Sequence, residues 1–351
     1  MTIRRLTGPT LLATVGLALL GTLAIMLFCS LIGADMRGGG KLSFLSLGEV
    51  WAGLTGTETD ASRIYVLARL PRILAAAIVG AGLAGAGCAF QAVLRNPLAE
   101  PYTLGVSSGA SLGAVLAIRF GLDTSFLGGS ALSVAALGGS GLTVYMVWRL
   151  GKVGNALPPA TLLLAGVIVA MWCSAATMLA QYTASFVEVT KMVHWLMGGL
   201  DLTDYTELGR ASAMIGIGMV VLLSRGRDLN ALSAGSDAAA SVGVNAARTI
   251  TITFAMASLI VGAAISIAGP IGFIGLIVPH AMRAIVGADH RILLPVSMLA
   301  GAALLIVCDT VARVAMFPAE IPVGIVTALL GGPFFVYLLR REKTRGQLWG
   351  G

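Results

Sequence analysis

The feature that most limits this chain is a series of nearly uncharged apolar runs of bilayer length. They fall at roughly 10–32, 73–94, 104–120, 130–147, 160–181, 211–223, 250–268, 272–286, 293–311 and 323–339. About twenty apolar residues, coiled as a helix, cross the hydrocarbon core. The expected fold is all-α: one polytopic membrane domain over residues 1–351, with about ten transmembrane helices. Composition supports this, because only 11% of residues are charged against about 25% in soluble domains. A soluble version would have a core with almost no surface around it. Two runs, 211–223 and 272–286, are short, which points to broken or re-entrant helices beside a cavity.

The net charge is +7, but the basic residues sit in the gaps between runs and form no stripe on a soluble face. That pattern excludes nucleic-acid binding and suits anchoring at lipid headgroups. With ten spans both termini lie on one side. Fourteen Lys and Arg fall on that side and nine on the other, so the positive-inside rule puts both termini in the cytoplasm. The run at 10–32 is too long for a signal-peptide core and reads as a retained first span behind Arg4 and Arg5. Three polar stretches stand out: an outer loop over 35–63 with Trp51, an outer helix region over 186–208 with a stop at Gly198–Gly199, and an inner loop over 225–248. The glycine runs Gly80, Gly82, Gly85, Gly87 and Gly105, Gly109, Gly113 suit close helix packing along one face.

Several chemistries are missing. Cys29, Cys88, Cys173 and Cys308 each stand alone in or beside an apolar run and read as buried free thiols. His194, His280 and His290 lack metal-ligand spacing, so no metal is expected. Gly40-Lys41-Leu42 and Gly151-Lys152-Val153 lack the hydroxyl residue and glycine spacing of a Walker A loop. Any ATP must be bound elsewhere. Asp309 is the one acid set into a run, beside Arg313 at i, i+4, the spacing of a helical ion pair. Ion-coupled carriers usually need intramembrane ionisable groups, so a secondary transporter is the weaker alternative. No clustered catalytic set suggests an enzyme.

Four stretches are more specific: Arg69-Leu-Pro-Arg72 with Gln91; Arg95-Asn-Pro-Leu-Ala-Glu-Pro101 leading into Leu104-Gly-Val-Ser-Ser-Gly-Ala110; Gly272-Phe-Ile-Gly-Leu-Ile-Val-Pro-His280 with Arg283; and Asp309-Thr-Val-Ala-Arg313 with Glu320-Ile-Pro-Val-Gly324 and Gly331-Gly-Pro-Phe-Phe335. From about residue 63 to 341 the chain resembles the FecCD permease family of type II ABC importers, which move ferric siderophores, haem and cobalamin.

The resemblance implies a non-enzymatic, pore-forming subunit of the bacterial cytoplasmic (inner) membrane, with a ferric siderophore as the leading cargo and haem or cobalamin next. It implies a second permease copy, two ATPase subunits that use ATP and Mg, and an outer substrate-binding protein; the chain itself would hold no cofactor. Arg69, Arg72 and Arg313 would dock the binding protein, since guanidinium grips carboxylates bidentately; lipid anchoring is the other reading. Asn96, Pro97 and Leu98 would form the inner gate, or simply a helix stop. Pro158-Pro159-Ala160-Thr161 stands where relatives often carry hydroxyl residues in a second gate segment. In the inner loop, Asp228 and Ser236 or Asp237 are expected as helix caps and Gly243 as a stop. Leu229 and Leu232, with Ala239 and Val242, would be the apolar side offered to an ATPase groove, with Asp237 and Gly243 in the same coupling element.

Overall fold

The computed structural model describes residues 8–35, 41–55, 65–122, 125–126, 129–154, 156–200, 204–316 and 318–344; Arg4, Arg5, Arg37, Arg63 and Arg345 lie outside them. Among the described residues are fourteen α-helices: α1 Gly8–Leu31, α2 Leu47–Leu54, α3 Leu70–Leu94, α4 Val106–Arg119, α5 Ala131–Gly151, α6 Pro159–Tyr182, α7 Phe186–Leu196, α8 Tyr205–Ser224, α9 Gly226–Ser233, α10 Ser236–Ser241, α11 Ala246–Ala268, α12 Ile274–Val286, α13 His290–Val314 and α14 Val323–Thr344. Two small antiparallel hairpins, Ile32–Asp35 with Lys41–Phe44 and Ser125–Phe126 with Gly129–Ser130, join helices at one end. Seven helical segments are long and apolar enough to cross a membrane, and three shorter apolar helices, Val106–Arg119, Ile274–Val286 and Val323–Leu338, run with them.

Side-chain contacts orient the bundle. Arg72 near the start of α3 meets Asp309 near the end of α13, while Arg95 after α3 reaches Leu232 in α9. Tyr205 at the start of α8 bonds the Val66 carbonyl. Both described termini therefore lie at the end that carries α9 and α10, here the cytoplasmic end by the positive-inside count.

α3 is the central strut. It is made largely of Ala and Gly, and 78% of its apolar window is buried, against 6% for α1. In a membrane, small residues let backbones approach where apolar bulk gives no advantage over lipid. The α3 glycines do not all share one face, as the sequence suggested they would. A Cβ at Gly80 would overlap the Gly301 carbonyl in α13, one at Gly87 would overlap Gly275 in α12, and one at Gly82 would press on Ile260 of α11 and Ile215 of α8. Gly80 and Gly85, which meets Met298, both serve α13, while Gly82 serves α8 and α11 and Gly87 serves α12. Gly109 and Gly113 meet α5 at Gly139 and Ala135.

The two short runs fare differently. The run at 211–223 belongs to a twenty-residue helix, α8; its first turns are polar, and Asp204 caps them by accepting from the Thr206 N–H. The run at 272–286 stays short: α12 has thirteen residues and begins inside the bundle, where Gly87 and Gly275 touch. The outer helix forms as α7, closed by a reciprocal capping box between Ser185 and Glu188. All four cysteines are free and buried.

Candidate functional site

The outer end holds three arginines and two carboxylates drawn from three separate parts of the chain. Arg72 Nε donates to Asp309 Oδ1 at 2.8 Å and its Nη1 to Glu320 Oε2 at 2.6 Å. Arg313 Nε donates to the other Asp309 oxygen at 3.1 Å. Asp309 is 1% exposed at its side chain, a burial that a carboxylate tolerates only with paired charge. Arg69 donates to the carbonyls of Ser30 and Leu31, and Arg313 to that of Ile32. These are the last carbonyls of α1 and the residue after it, which have no partner in the helix and carry its negative end. Arg69 and Arg313 are thus buried, at 9% and 8% exposure, and cap α1. Arg72 and Glu320 reach the rim.

Deeper in the bundle the remaining motifs meet. Glu100 accepts the Phe273 N–H at 2.6 Å. Burial pushes the Glu100 carboxyl upward, and the Phe273 N–H pulls it back only in part. Phe273 has φ +69°, an outlier for a bulky side chain, and its ring fills the notch left by Gly331 in α14. The Arg283 guanidinium donates to Gln91 at 3.0 Å. Each of the four sequence stretches is therefore bonded or packed to at least one other. Glu100 and Phe273 were not singled out from sequence, since neither residue type signals a contact 173 positions away.

At the cytoplasmic end α3 stops at Leu94. Arg95 takes a left-handed conformation with φ 49°, and Asn96 accepts the Leu98 N–H at 2.9 Å through its side chain, a local turn. Asn96, Pro97 and Leu98 are exposed, Leu98 at 39%. Arg95 then reaches the inner loop, donating to the Leu232 carbonyl at 3.2 Å and to the Ser236 hydroxyl. Its side chain ties the turn to both α9 and α10. Pro158 caps α6, Pro159 opens it, and the Thr161 hydroxyl donates to the Gly151 and Pro158 carbonyls.

The inner loop forms two short helices, as its pattern suggests, but the faces are reversed. Leu229, Leu232 and Ala239 are wholly buried against the bundle, because the loop folds back over the ends of α3 and α13. They anchor the element and are not offered to a partner. The outward side carries Ser236, Asp237, Ser241 and Gly243, with Val242 at 68% exposure. Asp228 lies inside the first turn, paired with Arg225 at 3.0 Å, and is not a cap; Gly235 precedes α10 with no side-chain cap. Gly243, at φ +80°, does end α10: the Val244 N–H bonds Ala239 and the Gly243 N–H bonds Ala240, a Schellman closure that needs a left-handed residue. Asn230 is the residue that sequence reading missed. Its side chain donates to Asp289 and accepts the His290 N–H, both at 2.8 Å, locking α9 to the start of α13.

His194 is exposed on α7 beside Trp195, lining an outer cavity of about 340 Å³. Among the described residues no three His, Cys, Asp or Glu side chains gather as a metal site.

The FecCD transport family model matches residues 23–341. The cobalamin import system permease protein BtuC of Halobacterium salinarum is 40% identical over 346 residues, covering 96% of this chain and 91% of that protein. The hemin transport system permease protein HmuU of Yersinia pestis is 37% identical over 327 residues, covering 93% and 96%. An ABC transporter assigned to the metal-chelate type, solved in an inward-facing conformation, superposes with a TM-score of 0.79 at 33% identity, covering 95% of this chain and 99% of that one. With matches that run nearly end to end and include every stretch joined in this bundle, the chain belongs to the FecCD transport family.

Proposed function

We propose that this chain is the pore-forming subunit of an ABC importer for a bulky metal chelate in the cytoplasmic membrane. Cobalamin and haem are the cargoes named for its relatives, and a ferric siderophore belongs to the same chemical class. ATP and Mg would be used by two partner ATPases, and an outer binding protein would deliver the cargo to a pair of permease copies.

The observation that carries this reading is the Arg95 tether. The α9–α10 element is rigidly seated by Leu229 and Leu232 and presents Asp237, Ser241 and Gly243 outward. Arg95 connects it directly to Asn96-Pro97-Leu98. A push on the outward face of α10 would therefore be felt at the turn beyond α3, which is what coupling a distant ATPase to an inner gate requires. At the opposite end, Arg72 and Glu320 form the rim on which a binding protein would dock, while Arg69 and Arg313 act from behind by fixing α1.

The test is uptake of labelled cobalamin, haem and a ferric siderophore into vesicles holding the permease with its ATPase and binding protein. ATP-dependent uptake is expected, and Arg95→Ala is expected to lower cargo moved per ATP hydrolysed while hydrolysis continues. Uptake driven by an ion gradient without the ATPase would overturn the assignment.

A further inference from the structure

A cavity of about 380 Å³ opens at the cytoplasmic end between α5 and the start of α11. Its apolar wall includes Leu157 and Ile252, and Trp148 forms another side. Lys152 lies over the Trp148 ring, its ammonium 5.4 Å from the ring centre, so the cation is held in place by the aromatic face. Arg248 enters from the first turn of α11. Asn245 spends its side-chain carbonyl on the Arg248 N–H at 3.0 Å, which leaves its amide group to donate. Among the described residues neither Lys152 nor Arg248 is paired with a carboxylate, whereas Arg225 and Arg291 at the same end of the bundle are.

Two unneutralised cations in one concavity select an anion. Tryptophan is enriched at headgroup depth, and an apolar wall beside the cations suits a ligand that is charged at one end and greasy at the other. Basic pockets between helices on the cytoplasmic side are the usual chemistry for anionic headgroups. We propose that this cavity binds the phosphate headgroup of an anionic phospholipid from the cytoplasmic leaflet, held by Lys152 and Arg248. The inference rests on the membrane orientation of this end and not on the cargo. Asn245 follows Gly243 and Val244 directly, so a bound headgroup would sit next to the end of α10.

The full-length chain, in phosphatidylcholine vesicles doped with brominated phosphatidylglycerol, tests this through tryptophan quenching; Trp148→Phe isolates the signal of that residue. Brominated phosphatidylglycerol is expected to quench Trp148 at a lower mole fraction than brominated phosphatidylcholine. Lys152→Ala and Arg248→Ala are each expected to weaken the effect roughly fivefold, and Lys152→Arg to restore it. Both side chains are exposed at helix ends, and an unchanged circular dichroism spectrum confirms the fold of each variant. Equal quenching by the two brominated lipids, or variants indistinguishable from wild type, would overturn the proposal. Displacement by millimolar inorganic phosphate would overturn the lipid assignment in favour of a soluble anion.

Discussion

The two ends of the bundle spend their charges differently. At the outer end Arg72 bonds acids 237 and 248 positions away, and Arg69 and Arg313 reach back to the end of α1. At the cytoplasmic end the ion pairs among the described residues are local, Arg225 with Asp228 and Arg291 with Asp289, and among those residues Lys152 and Arg248 have no carboxylate partner. The difference accounts for part of the outer basic residues that run against the positive-inside trend. Three of the nine are held by the bundle itself, Arg69 and Arg313 buried at the end of α1 and Arg72 paired with Asp309 and Glu320, and exert little pull on lipid. The cytoplasmic cations remain available to headgroups or partners. One end is a clamp and the other an interface.

The largest effect should come from removing the centre of the clamp. Asp309→Asn leaves Arg72 and Arg313 without their shared carboxylate, and losing one partner of a buried pair costs about 3–5 kcal/mol. A thermal unfolding midpoint within error of wild type would show that the outer end is not a clamp. Next comes a contrast inside the inner loop. Leu232→Ala should cost about 2–5 kcal/mol by emptying a filled site, whereas Asp237→Lys should stay within about 0.5 kcal/mol yet reduce cargo moved per ATP. If the stability effects swap, the buried and outward faces of the element are wrongly assigned.

The smallest effect concerns a local pair. Burial tends to raise the Asp289 carboxyl, but hydrogen bonds from Arg291 and Asn230 outweigh it and bring the group from its ordinary 3.8 down to about 2. A carboxylate depressed in the folded state adds stability above its ordinary value, and that contribution fades as pH falls from about 4 towards about 2. The gap in unfolding midpoint between wild type and Asp289→Asn should therefore be constant near neutrality and close over that acid window. A gap that widens on acidification would break the account of the cytoplasmic end as locally paired.

Much of this molecule was legible from residues alone. Sustained apolar runs dictate helices, because nothing else satisfies the backbone in lipid. The cytoplasmic placement of α9 and α10 follows from lysine and arginine counting, and Gly243 announces its own stop through its conformational range. The i, i+4 spacing of Asp309 and Arg313 also survives. What the residues could not reveal was which helix faces which. Leu229 and Leu232 have the same pattern whether they meet a partner's groove or their own bundle, since periodicity defines an apolar side but not its occupant. Likewise Arg72 is an outer arginine in sequence and becomes a staple only when α13 is laid against α3. The chain fixes local order through propensity and hydropathy. The pairing of Glu100 with Phe273, of Arg95 with the inner loop and of the α3 glycines with α8, α11, α12 and α13 exists only once distant segments pack, because those contacts depend on positions that no short window contains.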